Sequence, residues 1–146
     1  MALPSTTSTR RNVLISIFPK WADQILSGNK KWEYRKIRIK TQPESRIIFY
    51  ASRGIHAIVG EATIDRVIYG PVESLIEQTA NEVPEKPEEL RRSFAGKEFG
   101  CAIKIKNPLI YKRPITLHEI RKRISRFRPP QSFCYISDKS PLIQML

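Results

Sequence analysis

The sequence predicts a small α+β domain: a mostly antiparallel β-barrel of about six strands carrying three or four short peripheral helices. Three observations point there. The chain has 146 residues, the length of one domain, and its 40% apolar and 9% aromatic content can fill a core. Several β-branched runs follow one another with no helix between them, which is not a βαβ alternation. The helical patterns are all short, and the clearest open on a proline or a capping residue.

Residues 1–11 are small, polar and basic without periodicity, and read as a flexible tail. VLISIF at 13–18 fits a buried strand. Pro19 suits the first position of a helix whose apolar face is Trp21, Ala22, Ile25 and Leu26, and Gly28 is placed to close it in the left-handed conformation. Residues 30–40 alternate apolar and charged, with a parity slip near Arg35–Lys36 that predicts a bulge. RIIFYAS (46–52) and AIVGEATIDRVIY (57–69) are strands, and Gly60 marks a bend in the second. Residues 71–95 read as one or two short helices. Residues 98–107 and 109–116 read as two strands tightly connected at Asn107-Pro108. Thr116 and Glu119 form a capping box ahead of LHEIRKRIS. FRPPQSFCYI (127–136) is a loop leading into a short strand, and residues 137–146 read as a tail, so the domain is expected over 12–136.

The charge is segregated. Residues 1–40 hold nine bases and two acids, 41–100 seven bases and ten acids, and 101–146 ten bases and two acids, which sums to +12. If the fold brings the chain ends together, one positive face opposes a negative one, the footprint of a polyanion binder. No run is long enough to span a membrane, and the N-terminus lacks an apolar signal region, so a cytoplasmic location is expected. His56, Cys101, His118 and Cys134 have no metal-ligand spacing, and there is no phosphate-binding glycine loop, so neither a metal nor a cofactor is expected. Cys101 and Cys134 read as small buried hydrophobes.

Glu33 is the carboxylate to notice, set among Lys30, Lys31, Arg35 and Lys36. Such surroundings hold it ionised as a base or hydrogen-bond acceptor, or as an ion-pair partner of Arg35. Aromatics interleave with bases: Trp21 follows Lys20, Trp32 follows Lys31, and Phe127 lies between Arg126 and Arg128. An aromatic face beside a phosphate-binding cation suits single strands and flipped bases, although Trp32 and Phe133 read as core.

Residues 28–35, Gly-Asn-Lys-Lys-Trp-Glu-Tyr-Arg, resemble the G-x-K-x-x-E-x-R signature of the ASCH domain, a branch of the PUA-like β-barrel superfamily. The preceding VLISIF-Pro-Lys and ILSG, the following IIFYAS and AIVGEATI, and the closing FRPPQSFCYI resemble the same family in order, over about residues 13–136. The resemblance implies a pseudobarrel with a cleft, RNA binding, and a link to transcription or translation. It places Lys30, Glu33 and Arg35 in the cleft, with Gly28 shaping the turn and Lys20, Ser52 and Arg53 at the mouth. The nucleic-acid-binding set expected is Lys20, Trp21, Gly28, Lys30, Lys31, Glu33, Arg35, Ser52, Arg53, Arg128, Gln131 and Ser132. Some relatives are hydrolases, and one group deacetylates acetylated cytidine with a Lys, a Thr and a Glu. Lys30 matches that lysine, but Glu33 stands where the threonine would be.

In this reading Lys30 and Arg35 hold phosphate, and Glu33 accepts from an amine or a ribose hydroxyl. If the protein is an enzyme, Glu33 is the general base and Lys30 stabilises a developing anion. The leading expectation is a nucleic-acid-binding module, with RNA favoured over DNA and a monomer as default. The alternatives are a small hydrolase of RNA or a modified nucleoside using the same Lys30–Glu33 pair, and a protein-interaction module. Arg121, Lys122 and Arg123 read as a phosphate-tracking stripe or a solvated face.

Overall fold

A computed structural model describes residues 11–146. Residues 1–10, most of the expected tail, lie outside the described residues. Six strands form one sheet in the order β2-β5-β4-β3-β1-β6. They are β1 (Asn12–Ile17), β2 (Trp32–Arg35), β3 (Arg46–Ala51), β4 (Ala57–Pro71), β5 (Phe99–Thr116) and β6 (Phe133–Ile136). β1 and β3 run parallel and the other neighbours antiparallel. The expected six-strand α+β barrel is thus present with a mixed sheet, and it is an open half-barrel, because β2 and β6 are edges that do not pair among the described residues.

The alternation of side chains along β1 divides the core. Val13, Ile15 and Ile17 point to one face, where Ala22, Ile25 and Leu26 of α1 (Pro19–Leu26) cover them. Leu14 points to the other, against Ile48, Tyr50, Ile120 and Leu142. Ile120 lies on α4 (Leu117–Arg123), capped by Thr116, whose Oγ1 accepts from the Glu119 N–H at 3.1 Å. Leu142, 1% exposed, lies on α5 (Pro141–Met145). The segment 137–146 is thus folded where a tail was expected, because Ser140 caps α5 and Leu142 anchors it. A third cluster joins Trp32 and Ala102 to α2 (Val72–Thr79) and α3 (Pro87–Ser93), which a 3₁₀ turn at Ala80–Glu82 connects. The described residues thus hold five α-helices, against three or four expected. No helix among them is long and apolar enough to cross a membrane.

Two local expectations are corrected. Residues 98–107 and 109–116 are one long strand, β5, because Asn107 takes φ +51° as a bulge residue in mid-strand and the ladder resumes beyond it. The alternation of residues 30–40 sustains a strand only to Arg35; residues 36–45 form a connection to β3 in which Ile39, 1% exposed, plugs the core.

The bend expected at Gly60 coincides with a register shift in both of its ladders. A Cβ there would lie 2.6 Å from the Leu109 carbonyl oxygen and 2.9 Å from the Leu26 methyls. Gly60→Ala should therefore cost about 1–3 kcal/mol, as overpacking does. Denaturant unfolding checks this, and an unchanged midpoint would mean that the strand crossing relaxes freely.

On β4, Glu61 accepts from Arg46 Nη2 at 2.6 Å and from the Tyr111 hydroxyl at 2.6 Å. Burial pushes its carboxyl up, but these bonds outweigh burial and hold it below its ordinary value. A carboxyl depressed in the folded state stabilises the protein above its unfolded value of about 4.3, and that contribution is lost as pH falls through the folded value. Glu61→Gln should flatten the stability–pH curve below about pH 4; an unchanged acid limb would assign it to other carboxylates.

Candidate functional site

The short β2 strand aims its residues at two different surroundings. Trp32 and Tyr34 share one face and Glu33 and Arg35 the other. Trp32 is fully buried and its Nε1 donates to Glu82 Oε1 at 2.9 Å. Phe133 packs against the core, half-buried, and Cys101 is fully buried while Cys134 is half-buried. Burial raises both thiols.

A cleft of about 610 Å³ opens between β2, the start of α1, α3 and the segment before β6. Lys30 lies at its floor with 2% exposure. Its Nζ sits 2.5 Å from Glu85 Oε2, 4.7 Å from the Tyr34 ring centre and 5.2 Å from that of Trp21. The amine has thus exchanged water for one carboxylate and two aromatic faces. Glu85 Oε1 is buried with no hydrogen-bond partner among the described residues, and its side chain is only 10% exposed. The Tyr34 hydroxyl pairs with Thr79 Oγ1 at 2.6 Å. Burial drives this phenol well above its ordinary range, the Thr79 bond offsets part of the rise, and Glu85 and Glu33 add to it, so Tyr34 stays neutral.

Arg35 occupies the seam of the half-barrel. Its Nε and Nη2 donate to Glu33 Oε2 at 3.0 and 2.7 Å. Nη2 also reaches the Ser16 carbonyl of β1 at 3.0 Å, and Nη1 donates to the Ser132 carbonyl and Oγ at 3.3 and 3.2 Å. One guanidinium therefore laces the β2 edge to β1 and to the segment entering β6.

The expected residues separate into groups. Trp21, Lys30, Glu33, Arg35, Gln131 and Ser132 all line the cleft. Gly28, with φ +88°, shapes the turn after α1 and does not line it. Lys20 lies exposed over Trp21, 4.7 Å from the ring centre. Arg53 lies 4.3 Å over Phe18, a cleft wall, while Ser52 is tied to the Ile17 carbonyl. Lys31 is exposed, and its N–H is held by the Glu82 carbonyl at 2.9 Å. Arg128 stands apart, in a surface hollow with Arg121 and Arg126. Among the described residues, no three His, Cys, Asp or Glu side chains converge as metal ligands.

The cleft is not basic as a whole. Lys30, Arg35 and Lys36 are balanced there by Glu33, Glu85 and Glu89. The acidic middle of the chain packs onto the basic motif rather than on the far side of the molecule, because α3 and the turn before it cover β2. Sequence reasoning missed Glu85, which lies 55 residues from its partner in a Pro- and Glu-rich stretch. It also missed Tyr34, Phe18 and Ser16 as cleft residues; Tyr34 was within reach, since it lies inside the motif strand.

The curated relative at 29% identity over 129 residues is an ASCH domain-containing ribonuclease of Zymomonas mobilis, covering 87% of this chain and 85% of its own. A crystal structure of ASCH from Zymomonas mobilis superposes with a TM-score of 0.82 at 27% identity, over 90% of this chain and 91% of that one. A point variant of the same protein gives a TM-score of 0.84 at 26% identity, over 93% and 97%. Human THYN1 protein, solved in complex with 5-methylcytosine containing DNA, shares the fold alone at 13% identity and a TM-score of 0.54 over 88% and 92%. The ASCH domain family matches residues 15–109, from β1 through the cleft strand β2 and α3 into β5. With the mixed half-barrel and the Gly28-to-Arg35 segment at its cleft, the chain belongs to the ASCH domain family.

Proposed function

We propose that this protein binds single-stranded RNA in the cleft and cleaves it by transesterification. The observation that carries the reading is the Lys30–Glu85 pair: a desolvated amine at the cleft floor beside a carboxylate with one oxygen unpartnered among the described residues. The ribonuclease name of the Zymomonas mobilis relative supports it. A cleft of about 610 Å³ suits a nucleotide, and Trp21, Phe18 and Ile37 offer apolar walls.

In the reaction, the Glu85 carboxylate, which lines the cleft, takes the proton of a ribose 2′-hydroxyl. The 2′-oxygen attacks the adjacent phosphorus, the P–O5′ bond breaks, and a 2′,3′-cyclic phosphate forms. The Lys30 ammonium stabilises the charge building on the phosphoryl oxygens and gives a proton to the leaving 5′-oxygen. The 2.5 Å contact then returns the proton from Glu85 to Lys30 and resets the pair. Glu33 and Arg35 position the floor, and Gln131 and Ser132 contact the strand. The need for a 2′-hydroxyl selects RNA over DNA.

A second reading, binding without turnover, is favoured by Glu33. This carboxylate, expected as the general base, has both guanidinium bonds of Arg35 on its Oε2 and is 6% exposed. The test is incubation with an oligoribonucleotide, with its 2′-O-methyl form and with the matching DNA, followed by gel analysis and anisotropy. Shortened RNA with cyclic phosphate ends, blocked by 2′-O-methylation, is expected. Salt-dependent binding with intact RNA would leave the binding reading alone standing. No binding at low salt would remove both.

A further inference from the structure

The connection between β2 and β3 separates two hollows. Lys36 and Ile37 face the cleft, while Arg38, Lys40 and Thr41 face a second hollow of about 420 Å³ on the other side. Arg11 and Tyr69 also line that hollow, and no carboxylate among the described residues does. None of Arg11, Arg38 and Lys40 is ion-paired among the described residues. The one acid of the same connection, Glu44, is taken by Lys106. Three unneutralised cations in one concave surface repel each other in the free protein, and an anion relieves the repulsion.

The cations are also held in place. The Arg38 guanidinium lies 5.2 Å over the Tyr69 ring and that of Arg11 4.9 Å over Tyr135. The backbone beneath them is pinned: the Lys40 N–H donates to the Tyr135 hydroxyl at 2.8 Å, and Thr41 Oγ1 donates to the Arg11 carbonyl at 2.7 Å. Beside them, Tyr69 and Phe99 stack at 6.0 Å and 18°, 44% and 45% exposed. Two large aromatics left that open beside unpaired cations are an unusual use of surface unless something stacks on them.

We propose that this hollow is a second nucleotide site: Arg11, Arg38 and Lys40 hold an RNA phosphate, and the Tyr69–Phe99 pair takes a base. The strand passes over the crest at Lys36–Ile37 from the cleft, so the inference rests on the RNA reading of that cleft. It gives the net-neutral cleft the positive charge needed to hold a polyanion.

The test is anisotropy at several salt concentrations with an oligouridylate long enough to span both hollows and with a uridine dinucleotide. Arg38→Gln/Lys40→Gln should flatten the salt slope for the long strand by about 0.7, the value for one lost phosphate contact of a single strand, and leave the dinucleotide unchanged. Tyr69→Ala should weaken the long strand about ten-fold. Circular dichroism melting checks that these exposed positions leave the fold intact. A wild-type slope retained by the double variant overturns the inference while the cleft reading stands. The loss appearing instead in Arg126→Gln/Arg128→Gln also overturns it, since the strand then leaves along α4. Inorganic phosphate shifting the Lys40 and Thr41 amide resonances without any change in RNA slope would make the hollow a free-anion site and overturn the RNA assignment. If the wild type binds neither RNA, both readings fall together.

Discussion

Arg35→Ala is expected to destabilise the fold by about 3–5 kcal/mol, the cost of removing one partner from a buried pair. That corresponds to a fall in Tm on the order of 10 °C for a chain of this size. All five N–H donors of Arg35 are engaged, so its loss strips Glu33 of its counter-ion and takes a donor from the Ser16 carbonyl, the Ser132 carbonyl and Ser132 Oγ, with the Ser132 carbonyl keeping only the Ser16 N–H at 2.9 Å. It also unlaces the β2 edge from the β1–β6 side of the half-barrel. Arg35→Lys should restore little, because an ammonium on a flexible stem cannot span three acceptor groups as the planar fork does. The salt slope for RNA should stay unchanged in whatever fraction remains folded, since no donor of Arg35 is free for a phosphate. A slope lowered at full stability would mean instead that Arg35 leaves the seam to hold RNA, the role the motif suggested. Urea unfolding and anisotropy on the same samples separate the two.

Lys30→Met is expected to lower RNA cleavage by about 10²–10³-fold, the usual loss when a preorganised charge is removed from a reacting centre. Methionine fills much of the same volume between Trp21 and Tyr34, so packing changes little. The variant nevertheless leaves Glu85 buried without its cation, which should cost about 3–5 kcal/mol of stability. Adding Glu85→Gln removes that stranded charge. The double variant should regain most of the stability and none of the cleavage, a split that a purely structural ion pair would not produce. Cleavage that survives Lys30→Met at full rate would remove the pair from the chemistry. Stability that fails to recover in the double variant would mean that the pair also organises the turn before α3.

These two residues also show how far the sequence could be read. Lys30 and Arg35 stand out in an octapeptide, and their types suggested phosphate ligands equally. Tertiary structure parted them: Arg35 meets three acceptor atoms across a seam between non-adjacent strands as well as Glu33 on its own, and Lys30 meets a carboxylate from a distant turn. The β1 strand was legible because a short β-branched apolar run marks it locally, and so was the α1 boundary, where Pro19 and Gly28 act on their own backbone angles. That the barrel stays open was not legible, because closure depends on whether the two edge strands meet, and no local pattern encodes that meeting.

By itself the sequence determined the strand segments, the short capped helices, the Gly28 turn and the motif that marks the cleft. Each follows from backbone preference or side-chain period over a few residues. Tertiary structure alone decided the mixed half-barrel, the folded C-terminal helix, the charge balance of the cleft and the pairing of Lys30 with Glu85. Each of these depends on groups far apart in the chain, brought together by burial of the three apolar clusters.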